Sequence, residues 1–502
     1  MGSVGGTGFI MTVLRRQDMK SSLDYFFNPK SIAVIGASNN PQKPGHVIVK
    51  NLIEMSYPGK IFPVNKIETE ILGQKAYSDI SKIEDSVELV VLISRSDMIY
   101  EIMEDLDVRM KKKNDVKAIV CASAGFAEIK DEEGAGRQEA LMATAKKYGI
   151  RVMGPNCIGV IDNKNRVDTT FVETLMPKES KGKPGGISFI SQSGATAASI
   201  LMIGASLPSP MRYNKFVSIG NMADVDFIEL LEYMEQDENT RVIGLYMEGY
   251  PDARRLVETM GRISLKKPVV VLKVGKTERG AAAANSHTGS LVGADRVYDS
   301  AFRQYGIIRV KSIDELIDTM RAFDALPLPR GNRLFLYTQA GGPGIYCMDT
   351  LNDYDFIEFP VIGDVAKAKL KDMLLPMATI CSPEGYADIT ASATVRHHVD
   401  GLKVILDEDN VDSAVLVTVV PNFLPREELG NELKKYIMSQ KQKPVFPCIM
   451  AGNYVRSSRV ILEEAGIPTF DTPDRAARAA ANMTRYSMFL KKRGRAYDQD
   501  IK

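Results

Sequence analysis

Short, strongly apolar runs recur along this chain, each followed by a stretch long enough for a helix, and that alternation restricts the fold more than any other feature. In residues 21–150 the runs are 31–36 (SIAVIG), 60–64 (KIFPV), 89–94 (LVVLIS) and 118–122 (AIVCA), with helices expected at 46–55 and 98–112. Runs this short and apolar read as strands covered on both faces. Strands alternating with helices build a parallel sheet, and such sheets bind ligands beyond the carboxyl ends of their strands. The pattern restarts at 186–191 (GISFIS), 215–219 (KFVSI), 242–247 (VIGLYM) and 268–274 (PVVVLKV), with helices expected at 195–204, 295–305 and 313–325. It restarts again after a Pro/Gly linker, 326–332 (LPLPRGN), with strands expected at 333–337, 414–420 and 444–450. The expected architecture is therefore α/β in three parts, 21–150, 151–325 and 333–490. An N-terminal extension at 1–20 and a charged tail at 491–502 are expected to be flexible.

Composition narrows the class. A chain of 502 residues exceeds one ordinary domain, and 44% hydrophobic with 25% charged residues is a globular balance. Sixty-four basic against sixty-three acidic side chains leave +1, which gives no support to a nucleic-acid or anionic-membrane partner. The five cysteines are scattered without a CxxC pair, so free thiols are expected, with no disulfide frame and no bound metal. No apolar run approaches the roughly 18 residues that span a bilayer. The N-terminus places its arginines after a weak apolar patch, the wrong order for a secretory signal, and a cytoplasmic location is expected.

Candidate functional residues lie where strands end. The first strand runs into Gly36-Ala37-Ser38, and Lys43 stands beside the N-terminus of the next helix, where backbone N–H groups favour an anion. The GxGxxG spacing of a dinucleotide site is absent. With Asn65, Lys66 and Ser123-Ala124-Gly125 at neighbouring strand ends, these residues suit a groove for a phosphate-bearing cofactor. Gly154-Pro155-Asn156-Cys157 marks the passage into the second part. There Ser191-Gln192-Ser193-Gly194 opens a helix rich in small residues, either as an anion site or only as a cap. Glu248 leaves the strand at 242–247 and could hold one ring nitrogen of a histidine. The chain has four histidines, and His287 lies in a run of small residues, 280–295 (GAAAANSHTGSLVGAD), after the strand at 268–274. Taken locally, that run is also a helix start capped by Asn285 or Ser286. In the third part, the turn Ala340-Gly341-Gly342-Pro343-Gly344 reads as a poor phosphate site, because Pro343 lacks an amide donor. His397 and His398 read as surface residues of a polar helix.

The segments FNPKSIAVIGAS, GPNCIGV, SFISQSG, VSIGNMADVD, LYMEG, NSHTGSLVGAD, AFRQYGIIRV and QAGGPG follow one another in that order. Together, over about residues 20–480, the chain resembles the α-subunit of NDP-forming, usually ADP-forming, acyl-CoA synthetases, relatives of the succinyl-CoA synthetase α-subunit. The resemblance implies a Rossmann-like CoA-binding domain followed by two flavodoxin-like domains. It implies a reaction in which acyl-CoA, phosphate and ADP give a carboxylic acid, CoA and ATP. His287 would be the phosphohistidine on a swinging loop and Glu248 its orienting carboxylate. Ser191, Gln192, Ser193 and Gly194 would hold the phosphate. Gly36, Ala37, Ser38, Lys43, Asn65, Lys66, Ser123, Ala124 and Gly125 would line the CoA groove, with Asn156 near the thioester. The family's ATP-grasp fold has no counterpart after the third part, so a β-subunit carrying it, with ADP or ATP and Mg, is the implied partner in an α2β2 assembly. Where the family pattern has Asn-Pro followed by Asp, this chain has Cys381-Ser382-Pro383-Glu384-Gly385-Tyr386-Ala387-Asp388, which leaves the role of that loop open. A different class, a non-catalytic CoA- or acyl-CoA-binding regulator on the same scaffold, competes with the ligase reading. It is disfavoured because the histidine, the carboxylate and the helix start are all retained.

Overall fold

The computed structural model describes residues 21–174, 181–280 and 295–494. Three main sheets account for the apolar runs. In the first, Lys60–Val64, Ser31–Ile35, Leu89–Leu92, Ala118–Cys121 and Arg151–Met153 lie side by side in that order, all parallel. Every residue of Ser31–Ile35 is buried, as a strand sandwiched between helix layers requires. Arg151–Met153 carries this sheet three residues past the sequence division at 150.

The second sheet runs Ile308–Arg309, Val269–Lys273, Val242–Met247, Ile187–Ser191 and Tyr213–Ser218 in parallel. Two antiparallel strands, Val160–Asp162 and Val167–Asp168, then extend its far edge. The third sheet is ordered Thr379–Ile380, Tyr386–Asp388, Leu334–Thr338, Ser413–Val419 and Val445–Met450, with only the first of these antiparallel. The departing segment 381–388 is the connection between Thr379–Ile380 and Tyr386–Asp388, and ends in the latter strand.

One winding rule repeats in the three sheets. The first parallel strand is central, the next lies on one side of it, and the following strand lies on the other. Connections from the central strand therefore leave in opposite directions, which opens a crevice at its carboxyl end. This is the α/β, Rossmann-like and flavodoxin-like architecture expected from the sequence.

Packing joins the layers. One buried cluster runs from Phe26 and Phe27 through the first sheet to Phe227, Leu256 and Phe302 over the second. Another links the second sheet to the third through the helix Pro473–Lys492. Five of its alanines, Ala476, Ala477, Ala479, Ala480 and Ala481, are wholly buried, and side chains this small let it lie close against Ile313–Ala325. Arg475 donates to both Asp318 oxygens at 2.6 and 2.9 Å, and Asn482 reaches Glu315 and Thr319 at 3.1 Å each.

His398 corrects the surface reading. It is wholly buried on the inner face of Val395–Leu406, beside Val395, Gly401, Leu402 and Ile405. Nδ1 lies 2.8 Å from the Thr394 carbonyl, and burial pushes the imidazole pKa down to about 4. His397 is half-buried, and its Nδ1 accepts from the Thr394 N–H at 3.2 Å as part of a capping box. The helix is amphipathic, and the adjacent histidines fall on opposite sides of its polar boundary.

Candidate active site

At the crevice of the first sheet, Gly36 has φ +95°, and a Cβ there would lie 2.2 Å from the Ile93 carbonyl oxygen. A Cβ on Gly45, in the first turn of Pro44–Glu54, would lie 2.0 Å from the Gly36 carbonyl. The two glycines let strand and helix meet without side chains between them. Ala37 and Ser38 are buried beyond the strand, and exposed Lys43 caps the helix without a side-chain bond.

Other candidates here hold the backbone. Asn65 Nδ2 donates to the Ala37 carbonyl at 2.8 Å, while its Oδ1 accepts from the N–H groups of Ile67 and Glu68. Ser123 Oγ donates to the Ser94 carbonyl at 2.7 Å. Lys66 pairs with Glu101 at 2.6 Å on the surface, and Ala124 is exposed. Glu68 carried no weight in the sequence reading, yet its carboxylate takes the Asn39 N–H at 2.9 Å and the Ser38 hydroxyl at 3.1 Å. These donors stand where the sequence reading expects a phosphate, so a ligand phosphate would compete with a carboxylate already there.

Asn156 bridges two sheet edges. Its N–H donates to the Ser123 carbonyl at 3.0 Å, and its side chain meets Asn221 at 3.4 Å. Asn221 in turn donates to Glu128 at 2.6 Å, and the other Glu128 oxygen accepts from the N–H groups of Gly125 and Phe126. Burial raises the Glu128 pKa, but Asn221 and these amides outweigh it and leave the group below the usual carboxylate range. Asn156 thus sits at the seam between the carboxyl edges of the first and second sheets.

The second crevice gathers the phosphate candidates and Glu248. Ser193 caps the helix Gly194–Ser206, accepting from Thr196 N–H at 3.3 Å, and Ser191 Oγ donates to the Ser193 carbonyl at 2.8 Å. Both serines therefore have capping work, and the helix N-terminus keeps its dipole and its remaining free amides. Gln192 crosses the crevice: its Oε1 accepts from Glu248 N–H at 2.9 Å and from Gly249 N–H at 3.3 Å. The helix start and the carboxylate-bearing strand end are thereby fixed to each other. Glu248 is 7% exposed.

Lys273, missed in the sequence reading because it closes an apolar run, lies beside Glu248 and donates to its carbonyl oxygen at 2.8 Å. His287 lies outside the described residues; the segment bearing it joins Val269–Lys273 to the helix Asp295–Tyr305.

The Gly-rich turn lies at the third crevice. Gly341–Asn352 is a helix whose cap, Ala340, offers no side-chain bond. Buried Gln339 Oε1 and Thr418 Oγ1 at this edge have no hydrogen-bond partner among the described residues. Pro343 falls in the helix's first turn, where it removes one of the free amides.

Chemically, the second crevice sets a helix N-terminus, with its free amides, next to a buried carboxylate, with the first crevice one seam away. Among the described residues no group of acids, histidines and cysteines could hold a metal, and no helix is long and apolar enough to cross a membrane.

Comparison with known proteins agrees with this layout. The family model for a CoA binding domain matches residues 30–163, and that for a succinyl-CoA ligase like flavodoxin domain matches residues 184–323. The chain is 38% identical to the α-subunit of ADP-forming acetate–CoA ligase II of Pyrococcus furiosus, over 91% of this chain and 96% of that one. It is 34% identical to the ADP-forming acetate–CoA ligase of Methanocaldococcus jannaschii, over 93% of this chain but 63% of that one. A solved structure of dinucleotide-forming acetyl-coenzyme A synthetase 1 from Ca. Korarchaeum cryptofilum, in complex with phosphate and ADP, matches with a TM-score of 0.82 at 31% identity. That match covers 94% of this chain and 99% of the other. A CoA-binding domain, a succinyl-CoA-ligase-like domain and near full-length identity to such subunits lead to one conclusion: the chain belongs to the family of α-subunits of ADP-forming acyl-CoA synthetases, which are acid–thiol ligases.

Proposed function

We propose that this chain converts an acyl-CoA and phosphate, by way of an acyl phosphate, into a phosphohistidine at His287, and that the phosphoryl group then passes to ADP on a partner subunit. A phosphate oxygen attacks the thioester carbonyl carbon and CoA leaves as the thiol. The imidazole nitrogen of His287 attacks phosphorus and releases the carboxylic acid. A terminal oxygen of ADP then takes the phosphoryl group and restores the imidazole. The observation that carries this reading is the Gln192 bridge. It fixes the N-terminus of Gly194–Ser206 to the strand end bearing Glu248, next to the strand from which the His287 segment departs.

The helix end supplies positive potential to the phosphoryl oxygens. A carboxylate on the second ring nitrogen keeps the attacking nitrogen free of its proton and stabilises the imidazolium as it forms. In this reading Gly36, Ala37, Ser38, Lys43, Asn65, Lys66, Ser123, Ala124 and Gly125 border the CoA groove, and Asn156 lies near the thioester at the seam. Ser191, Gln192, Ser193 and Gly194 hold the phosphate.

The partner we infer carries the ATP-grasp fold and binds ADP or ATP with Mg, in an α2β2 assembly in the cytoplasm. The names of two relatives support a partner subunit: the chain spans 96% of one and 99% of another, each named as a subunit alpha. Acetyl-CoA is the first substrate to assay, because both relatives carry acetate in their names.

The test mixes the full chain with its partner, acetyl-CoA, phosphate and ADP, and follows free CoA and ATP together. Equal release of both, lost when either chain is omitted, is expected. Tight CoA binding with no turnover across a panel of thioesters would instead establish a binding regulator.

A further inference from the structure

Lys273 is a buried cation without a carboxylate partner. Its side chain is 1% exposed, and among the described residues no acid lies within ion-pair distance of its ammonium. Its hydrogen bonds go to two carbonyl oxygens, that of Glu248 at 2.8 Å and that of Val274. The third side of the ammonium faces the ring of Tyr298, whose centroid is 5.3 Å away. Burial pushes the Lys273 pKa down; Asp295 and Glu248 oppose that fall, and Arg309 adds to it. Arg309 is itself committed to Asp295 and Asp299.

Burying an ammonium that has no counter-ion costs free energy, and a fold that only needed to fill this space would place an apolar side chain here. The two carbonyls explain the choice of site. One belongs to the residue carrying the buried carboxylate, and the other to the first residue after the strand from which the His287 segment leaves. A single ammonium therefore ties together the two strand exits whose side chains must meet for histidine phosphorylation.

We propose that Lys273 is a positioning residue for phosphoryl transfer, clamping the Glu248 and Val274 main chains together so that the Glu248 side chain is placed to orient the imidazole. This inference rests on the assignment of His287 and Glu248 made above. Lys273 touches neither substrate nor reacting atoms in this role, and it acts through Glu248. Asp295, Arg309, Tyr298 and Glu248 are the titratable and charged groups facing it, and none replaces its two bonds to the carbonyls.

The experiment compares wild type, Lys273→Gln, Lys273→Met and Lys273→Arg as full chains with the partner, acetyl-CoA and labelled phosphate. It reads the rate of acid-labile labelling at His287 and its dependence on phosphate and acetyl-CoA concentration. Gln keeps one shorter amide donor for the carbonyls, Met keeps none, and Arg keeps several. Displacing a catalytic group by about an ångström costs on the order of 10²-fold in rate, so Lys273→Met is expected to slow labelling to about that extent with KM for phosphate and acetyl-CoA little changed. Lys273→Arg, which keeps donors for both carbonyls, is expected to recover most of that rate, and Lys273→Gln, with one shorter amide donor, only part of it. If Lys273→Met fails to fold, the Gln and Arg rates decide alone. Wild-type labelling at His287 with an unchanged rate in Lys273→Gln overturns this inference while leaving the phosphohistidine in place. No label at His287 in the wild type removes both.

Discussion

At Gln192 one amide oxygen serves two backbone donors across the crevice of the second sheet. Gln192→Leu keeps the bulk and removes the acceptor, leaving two buried N–H groups unpaired at about 1–3 kcal/mol each. The expected result is a lower denaturation midpoint together with slower histidine labelling. An unchanged labelling rate would show that the bridge is dispensable. His398 gives a pH-dependent counterpart. Its folded-state pKa, near 4, lies below the 6.5 of an exposed imidazole. Between those values the unfolded chain binds a proton that the folded chain refuses. The contribution of His398 to stability is therefore intact above pH 6.5 and is lost as pH falls towards 4, about 3 kcal/mol in all. In His398→Leu, stability measured by denaturant unfolding should fall less steeply than in wild type over that window. Parallel curves would contradict the assignment. The histidine pair also marks what single residues conceal. His398 was misread because neighbouring residues on a helix point about 100° apart, and a polar surrounding sequence does not say which of two histidines turns inward. Lys273 was hidden for the opposite reason, since a lysine closing an apolar strand looks like its first exposed residue.

Among elements, the buried parallel strands were legible because sandwiching between helix layers forces their residues to be apolar. Lys60–Val64 and Val242–Met247 have the limits the sequence suggests, and the helices Asp295–Tyr305 and Ile313–Ala325 do as well. The antiparallel pair Val160–Asp162 and Val167–Asp168 was not legible, since elements of two or three residues carry no periodicity. The helix Glu132–Tyr148 was also passed over. Only Leu141, Ala145 and Gly134 are buried along its 17 residues, so its apolar stripe is thin, although Asp131 and Gly149 cap it at either end. The helix Pro473–Lys492 carries a prediction at this scale. Asp318 is nearly inaccessible, and burial raises its pKa against the pull of Arg475. Arg475→Met would remove both hydrogen bonds to that buried carboxylate and leave it only Arg321, 3.8 Å away, at a cost of up to about 3–5 kcal/mol. The expected outcome is a separate, earlier melting transition for the third sheet in calorimetry. A single transition at the wild-type midpoint would show that the alanine face alone secures the helix.

For the molecule as a whole, the repeated winding brings three crevices into one chain, each at the carboxyl end of a central strand. The first ends in Gly36, the second in Gln192, and the third in Gln339. That the candidate residues stand at strand ends and helix starts was legible, because those positions follow from the alternation alone. The internal wiring of the site was not. That Glu68 occupies the donors beside Ser38, or that Glu128 and Asn221 link the first two sheets, depends on contacts between residues far apart in sequence. The central claim is that these parts serve one histidine. It is tested most directly by giving the reconstituted assembly acetyl-CoA and labelled phosphate without ADP, then locating the acid-labile label by mass spectrometry of peptides. The account predicts label on the peptide containing His287, discharged to ATP when ADP is added and absent in His287→Asn. Label that persists in His287→Asn, or ATP formed at the wild-type rate without it, would contradict the account.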